Sequence, residues 1–209
     1  LLFSVVSLAT ALLIAARFYK NLFTDEGYLT WTLPASPVQQ LWAKILSGCI
    51  WNILDLILLY SAAYFMWISP NVQNAYRMIA SEFTASLGMP LSKFFLLMVL
   101  LSIIGVGSNV LMLYASISIG QLFPAHRLLL SVIVYFIFYM IIYALSMGAL
   151  IIFKLLPGIA LSANTVNEAA SMSTYLTGTF LISLVLSAVM AVIQYVITHL
   201  ILTRKLNLI

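Results

Sequence analysis

The length of its apolar runs constrains this chain more than any other feature. Five of them, at about 1–17, 44–68, 93–119, 128–153 and 174–203, continue without the alternation of a half-buried strand or the polar stripe of a surface helix. As helices rising ~1.5 Å per residue, the complete runs reach ~37 to 45 Å, more than the roughly 30 Å of a bilayer's hydrocarbon core. Transmembrane strands would alternate over roughly ten residues, and these runs do not. Only 7% of the 209 residues are charged, against about 25% in soluble domains, so polar surface cannot clothe the chain. The expectation is an all-α, polytopic helical membrane protein with five membrane spans. No linker or repeat divides it, so residues 1–209 read as a single transmembrane domain. The first run starts at Leu1 with neither an initiator methionine nor a basic leader. It therefore reads as a span in an N-terminally incomplete domain, not as a signal peptide.

Charge placement orients the spans. Arg17, Lys20, Lys44, Arg127, Arg204 and Lys205 fall on one side, and Arg77, Lys93 and Lys154 on the other. Cytoplasmic loops carry the excess of Lys and Arg, so residues 18–34, the GQLFPAHR connection and the C-terminus are expected in the cytoplasm, with 69–92 and 156–173 outside. Within the first outer loop Val72, Tyr76, Ile79, Phe83 and Leu87 recur at helical spacing, opened by Ser69 and Pro70 and closed by Gly88 and Pro90. That pattern predicts a helix lying along the interface. Pro157 and Gly158 break the preceding span and begin a small, polar second outer loop. Cys49 is the single cysteine, which excludes an intrachain disulfide and reads as a small core residue. No Lys/Arg cluster points to nucleic acid as a partner.

Residues 18–34, FYKNLFTDEGYLTWTLP, are the densest polar and aromatic passage between spans. Thr24, Asp25 and Glu26 suit the first turn of a short helix, and Tyr28, Leu29, Trp31 and Leu33 add an apolar surface before Pro34 and Pro37 end it. One reading is an interfacial elbow anchored by Tyr28 and Trp31. The other is a docking knob whose rings fill a partner's groove while Asp25 and Glu26 meet basic residues.

RFYKNLFTDEGYLTWTLPAS followed by the Lys44-bearing span, then YASISIGQLFPAHR before another span, and RKLNLI at the end, resemble permease subunits of type-2 ATP-binding-cassette exporters. The resemblance implies that residues 18–34 form a cytoplasmic coupling helix, with Thr24, Asp25, Glu26, Gly27, Tyr28 and Trp31 in a cleft of an ATPase subunit. It also implies that the five spans are the second to sixth of six, in agreement with the orientation read from charge. Further implications are a homodimer or a heterodimer with another permease, in the lipid of a cell membrane such as the bacterial cytoplasmic membrane. The last outer loop would dip back into the bilayer. The chain contains no G-x-x-x-x-G-K-[ST], and its GVGSNV lies within an apolar span. ATP is thus expected on a separate subunit or on a domain beyond Leu1, with no cofactor on this chain.

Asp55 is the one acid deep within a span, where an unpaired carboxylate costs roughly 2.5 to 3.5 kcal/mol on insertion scales. It reads either as part of a local hydrogen-bonded cluster with Asn52 and Trp51 or as a group on the substrate path or in a proton relay. Gly105, Gly107, Ser108 and Asn109, and the pair Ser116 and Gly120, suggest close helix approach, with Asn109 as an alternative cargo contact. His126 and His199 have no second ligand at metal spacing and read as interface residues. No HExxH, GxSG or neighbouring acid pair within a span supports an enzyme. The expected function is the transmembrane subunit of an ATP-driven exporter, with Asp55, Asn52 and Asn109 as the candidate substrate path. The rivals are a secondary transporter or channel using Asp55, although inverted repeats are absent, and a structural membrane scaffold.

Overall fold

The apolar runs fold as helices, because in lipid every backbone N–H and C=O must be satisfied within its own segment. A computed structural model describes residues 2–24, 27, 32, 34–123, 125–153 and 165–204. Six helices are described: α1 (Leu2–Phe23), α2 (Pro37–Ile68), α3 (Pro70–Leu87), α4 (Leu91–Gly120), α5 (Arg127–Ile152) and α6 (Thr165–Arg204). Five of them carry segments long and apolar enough to cross a membrane: Phe3–Phe23, Pro37–Ile68, Leu91–Gly120, Arg127–Ile152 and Met172–Thr203. The chain is an all-α, multi-pass membrane protein.

Helix ends differ from the apolar boundaries for local reasons. α1 runs on past residue 17 to Phe23, since Arg17 and Lys20 are good helix formers and cations suit a helix C-terminus. α2 begins at Pro37, which opens this helix instead of ending the elbow. The Ser36 hydroxyl accepts the Gln39 N–H at 3.3 Å, and the Gln39 side chain accepts the Ser36 N–H at 3.0 Å. This capping box makes Pro37 a first-turn residue, where its missing N–H has no cost.

α3 is the helix expected between the second and third runs, and Gly88 ends it in the left-handed region at φ 66°. Ser69 precedes it without a side-chain cap bond. Its packed stripe is turned from the expected one: Gln73, Tyr76, Ala80, Phe83 and Leu87 are half-buried, whereas Val72 and Ile79 are exposed. The pivot is Tyr76, whose ring meets Trp67 at 5.2 Å and Phe83 at 6.4 Å, edge to face. The expected second outer loop, 156–173, is helical from Thr165, where α6 begins, because 165–173 carries no glycine or proline and several good helix formers. Of the dip expected over 156–173, residues 156–164 lie outside the described residues, as does Lys154.

The connections return the chain to alternate ends. The C-terminus of α1, the start of α2, the end of α4, the start of α5 and the end of α6 share one end, which carries Arg17, Lys20, Lys44, Arg127 and the position of Arg204. Arg77 and Lys93 belong to the other end, and Lys205 lies outside the described residues. α4 is the central helix, packed most extensively against α6 and α5 and also against the antiparallel pair α1 and α2. α4 and α6 run parallel, with Ser108 Oγ donating to the Ser187 carbonyl at 3.3 Å.

The second half of α4 is buried on all sides: Val106, Val110, Met112, Tyr114, Ala115, Ser116, Ile117, Ser118 and Gly120. Close backbone approach occurs at Gly48, where an added Cβ would come within 2.9 Å of Val110 Cγ1 and of the Tyr114 hydroxyl, and at Gly120, which lies against Arg127 and Ser131 of α5. Gly105 and Gly107, expected as a close-packing surface, have nothing among the described residues within 4 Å of a Cβ built on either. Neighbouring positions carry the contact instead: Val106 is buried, and Ser108 bonds to Ser187 of α6. Of the expected Ser116 and Gly120 pair, Gly120 does mediate helix contact.

Candidate functional site

The elbow between α1 and α2 is mounted on a closed aromatic cluster. The Thr24 hydroxyl donates to the Lys20 carbonyl at 2.6 Å, and the Gly27 N–H donates to the Thr24 carbonyl at 2.7 Å, folding the chain back over the end of α1. Gly27 is buried there, and a Cβ on it would stand 2.8 Å from the Leu22 backbone, so only glycine fits. Asp25, Glu26, Tyr28, Leu29, Trp31 and Leu33 lie outside the described residues. Of the six expected coupling residues, Thr24 and Gly27 are placed, and both belong to the mounting of the elbow.

Beneath it, Phe18 and Leu22 of α1, Leu41 and Ile45 of α2, Val110, Tyr114 and Ile117 of α4 and Leu202 of α6 form one cluster. The Phe18 ring stacks on Tyr114 with centroids 3.8 Å apart and planes within 8°. The Tyr114 hydroxyl donates to the Lys44 carbonyl of α2 at 2.9 Å. Lipid tails are as apolar as these side chains, so tight packing and the hydrogen bond, not escape from water, supply most of the holding force within the bilayer. Tyr114 thus ties α1, α2 and α4 together. Its sequence signal was the aromatic at the head of YASISIG, whose small residues let α4 sit in the middle of the bundle.

Asp55 meets a different partner from those expected. Thr10 Oγ1 of α1 donates to Asp55 Oδ1 at 3.1 Å, while Oδ2 is buried with no hydrogen-bond partner among the described residues. The Asn52 amide donates to the Gly48 carbonyl one turn back in its own helix, at 3.1 Å, and Trp51 lies beside Arg17, whose guanidinium carbon is 5.9 Å from the ring centroid. The expected cluster of Asp55 with Asn52 and Trp51 is therefore replaced by a link from α2 to α1. Asn52 and Trp51 share a helix face with Asp55, but the Asn52 amide is taken up by the Gly48 carbonyl and Trp51 by Arg17, whereas Thr10 reaches Asp55 across the packed α1–α2 pair. Asn52 and Asp55 share α2, and Asn109 is half-buried on α4, with no described hydrogen bond joining it to them.

A second polar feature lies between α4 and α6. Gln194 is fully buried, and among the described residues neither of its amide atoms has a hydrogen-bond partner; the Ser118 hydroxyl is buried and likewise unpartnered among them. The parallel register set by Ser108 and Ser187 brings Gln194 level with Ala115, which is also fully buried. Thr198, also fully buried, donates to the Gln194 carbonyl at 2.8 Å. An unsatisfied buried amide costs about 1–3 kcal/mol, so Gln194 ranks beside Asp55 as a polar group without a purely structural account. Within IQYVITHL it stands with Thr198 and His199 as one of several polar residues, and nothing local singles it out as buried.

His126 occupies the position before α5 without capping it, and the His199 ring stacks on Tyr195 with centroids 6.1 Å apart. Among the described residues no three His, Cys, Asp or Glu side chains gather as a metal site. No family model, curated protein or solved structure matches the chain.

Proposed function

We propose that this chain is the membrane subunit of a type-2 ATP-binding-cassette exporter, in which ATP binding and hydrolysis on a separate subunit move the α1–α2 elbow. The observation that carries the reading is Tyr114, stacked on Phe18 of α1 and bonded to the Lys44 carbonyl of α2. A push on the elbow cannot displace α1 or α2 without displacing α4, the helix at the centre of the bundle. Such a coupled unit is what an exporter needs in order to rock its helices between two discrete states. In this reading the elbow end faces the cytoplasm, in keeping with its cations, and residues 24–31 enter a cleft of the ATPase. A second permease, identical or related, completes the path in the cell membrane.

The test is co-purification in mild detergent. The ATPase accompanies the native chain and is reduced about tenfold or more when Asp25, Glu26 and Tyr28 are replaced by alanine, as expected for hot-spot loss of about 1.4 kcal/mol or more. Elution of the variant at an unchanged volume shows that it remains folded. Recovery of equal ATPase with both proteins, or accessibility of a cysteine placed at Thr30 to a reagent outside intact cells, overturns the reading.

The unpartnered Asp55 Oδ2 supports a second reading, a secondary transporter in which that carboxyl carries the coupling ion. Transport by the chain alone that collapses with the proton gradient and is lost in Asp55→Asn favours it.

A further inference from the structure

At the elbow end, α1 and α2 enclose a cleft of about 150 Å³ that the exporter reading does not use. Arg17 and Asn21 of α1 and Lys44 and Ser47 of α2 line it, over a floor that includes Phe18 and Tyr114. All four of those polar residues can donate hydrogen bonds, two of them carry positive charge, and among the described residues no carboxylate pairs with either cation. Asp55 belongs to Thr10. Trp51 closes one side and, 5.9 Å from the Arg17 guanidinium carbon, helps to keep that fork at the cleft.

We propose that this cleft binds one phosphate ester, at the depth where the headgroups of anionic lipids lie. Arg17 stands about 9 Å along α1 from its end at Phe23, and Lys44 about 10 Å along α2 from its start at Pro37, at 1.5 Å per residue. Both therefore lie near the edge of the hydrocarbon. A planar guanidinium that binds two phosphate oxygens at once, beside a mobile ammonium, is suited to phosphate, and basic pockets between spans are recognised seats for such headgroups. The volume holds roughly five waters at about 30 Å³ each, enough for a phosphate group with some of its hydration. Towards the membrane centre, Leu13 one turn before Arg17 and Leu54 one turn after Trp51 are exposed, offering an apolar track to an acyl chain. The proposal rests on the membrane location and not on the exporter reading, and it can fail or stand independently.

The test is native mass spectrometry of the purified chain given equal phosphatidylglycerol and phosphatidylcholine. The native protein keeps one phosphatidylglycerol at energies that strip phosphatidylcholine. Arg17→Gln with Lys44→Gln binds it about 10- to 30-fold more weakly, while Arg17→Lys largely retains it. Ser47→Phe fills the cleft but keeps both charges, and it too loses the lipid; circular dichroism and elution volume confirm that each variant is folded. Equal retention of the two lipids by the native chain, or undiminished phosphatidylglycerol in Ser47→Phe, overturns the proposal. A titration with inorganic phosphate at constant ionic strength separates the sources. Displacement of the lipid at low millimolar phosphate assigns the cleft to soluble phosphate esters, and retention at 100-fold higher phosphate assigns it to the lipid.

Discussion

The two ends of this bundle are built differently. At the elbow end, the buried residues of α1 are Ile14, Phe18 and Leu22, those of α2 run from Gln40 to Gly48, those of α4 from Val106 to Gly120, and those of α6 from Met190 to Leu202. Towards the other end, Met89 and Leu150 are the buried apolar residues among those described. Contact there is made by less buried pairs, such as the Tyr60 hydroxyl with Ser102 Oγ at 2.8 Å and Tyr60 edge-on to the exposed Phe95 at 5.6 Å. Apolar surface is not scarce at either end, so hydrophobicity does not explain the contrast. Closure follows the small residues: Gly48, Ala115, Ser116, Ser118 and Gly120 let backbones and rings approach, and Gly105 and Gly107 have no neighbour to receive.

The largest test of this contrast is a matched pair of aromatic deletions. Phe18→Ala removes a ring that is 1% exposed and is expected to lower stability by about 3–5 kcal/mol, read by denaturant unfolding in micelles. Phe95→Ala, at a residue 51% exposed, is expected to lose about 1 kcal/mol or less. Equal losses would erase the distinction between the ends. A second pair uses glycine: Gly48→Ala drives a methyl against Val110 and Tyr114 and is expected to cost about 1–3 kcal/mol. Gly105→Ala, into open space, is expected to be neutral or to stabilise its helix by up to about 1 kcal/mol. The smallest effect belongs to the link between α1 and α2 farther from the elbow. A double-mutant cycle of Thr10→Ala and Asp55→Asn should give a coupling near 0.6 kcal/mol, typical of hydrogen bonds between membrane helices. A coupling several times larger would mean that Asp55, and not Tyr114, is the main tie between these helices.

The spans were legible because a bilayer imposes one length on every crossing, and apolar runs record it directly. Their ends were less so: Pro37 reads as a terminator until Ser36 and Gln39 are seen to cap the helix it begins. The interface helix was legible from its period, yet its packed stripe was not, since Val72 and Ile79 suit lipid as well as they suit a neighbour. At the candidate site, Thr24 was read from its capping chemistry, Gly27 from the resemblance alone, and Asp55 from its charge. Thr10, Tyr114 and Gln194 escaped notice because their importance comes from partners 45, 70 and, for the register that buries Gln194, 79 residues away. No local pattern encodes such pairings.

The parallel pairing of α4 with α6 has a consequence for biogenesis. Ser108 and Ser187 are 79 residues apart, so α4 leaves the ribosome well before the segment that covers it. Until α6 arrives, Ser116 and Ser118 must sit on a helix admitted to the bilayer by its own apolar residues, with Ser116 bonded to the Met112 carbonyl of the same helix. The middle of the molecule is therefore completed only once α6, 79 residues behind its partner, has been made.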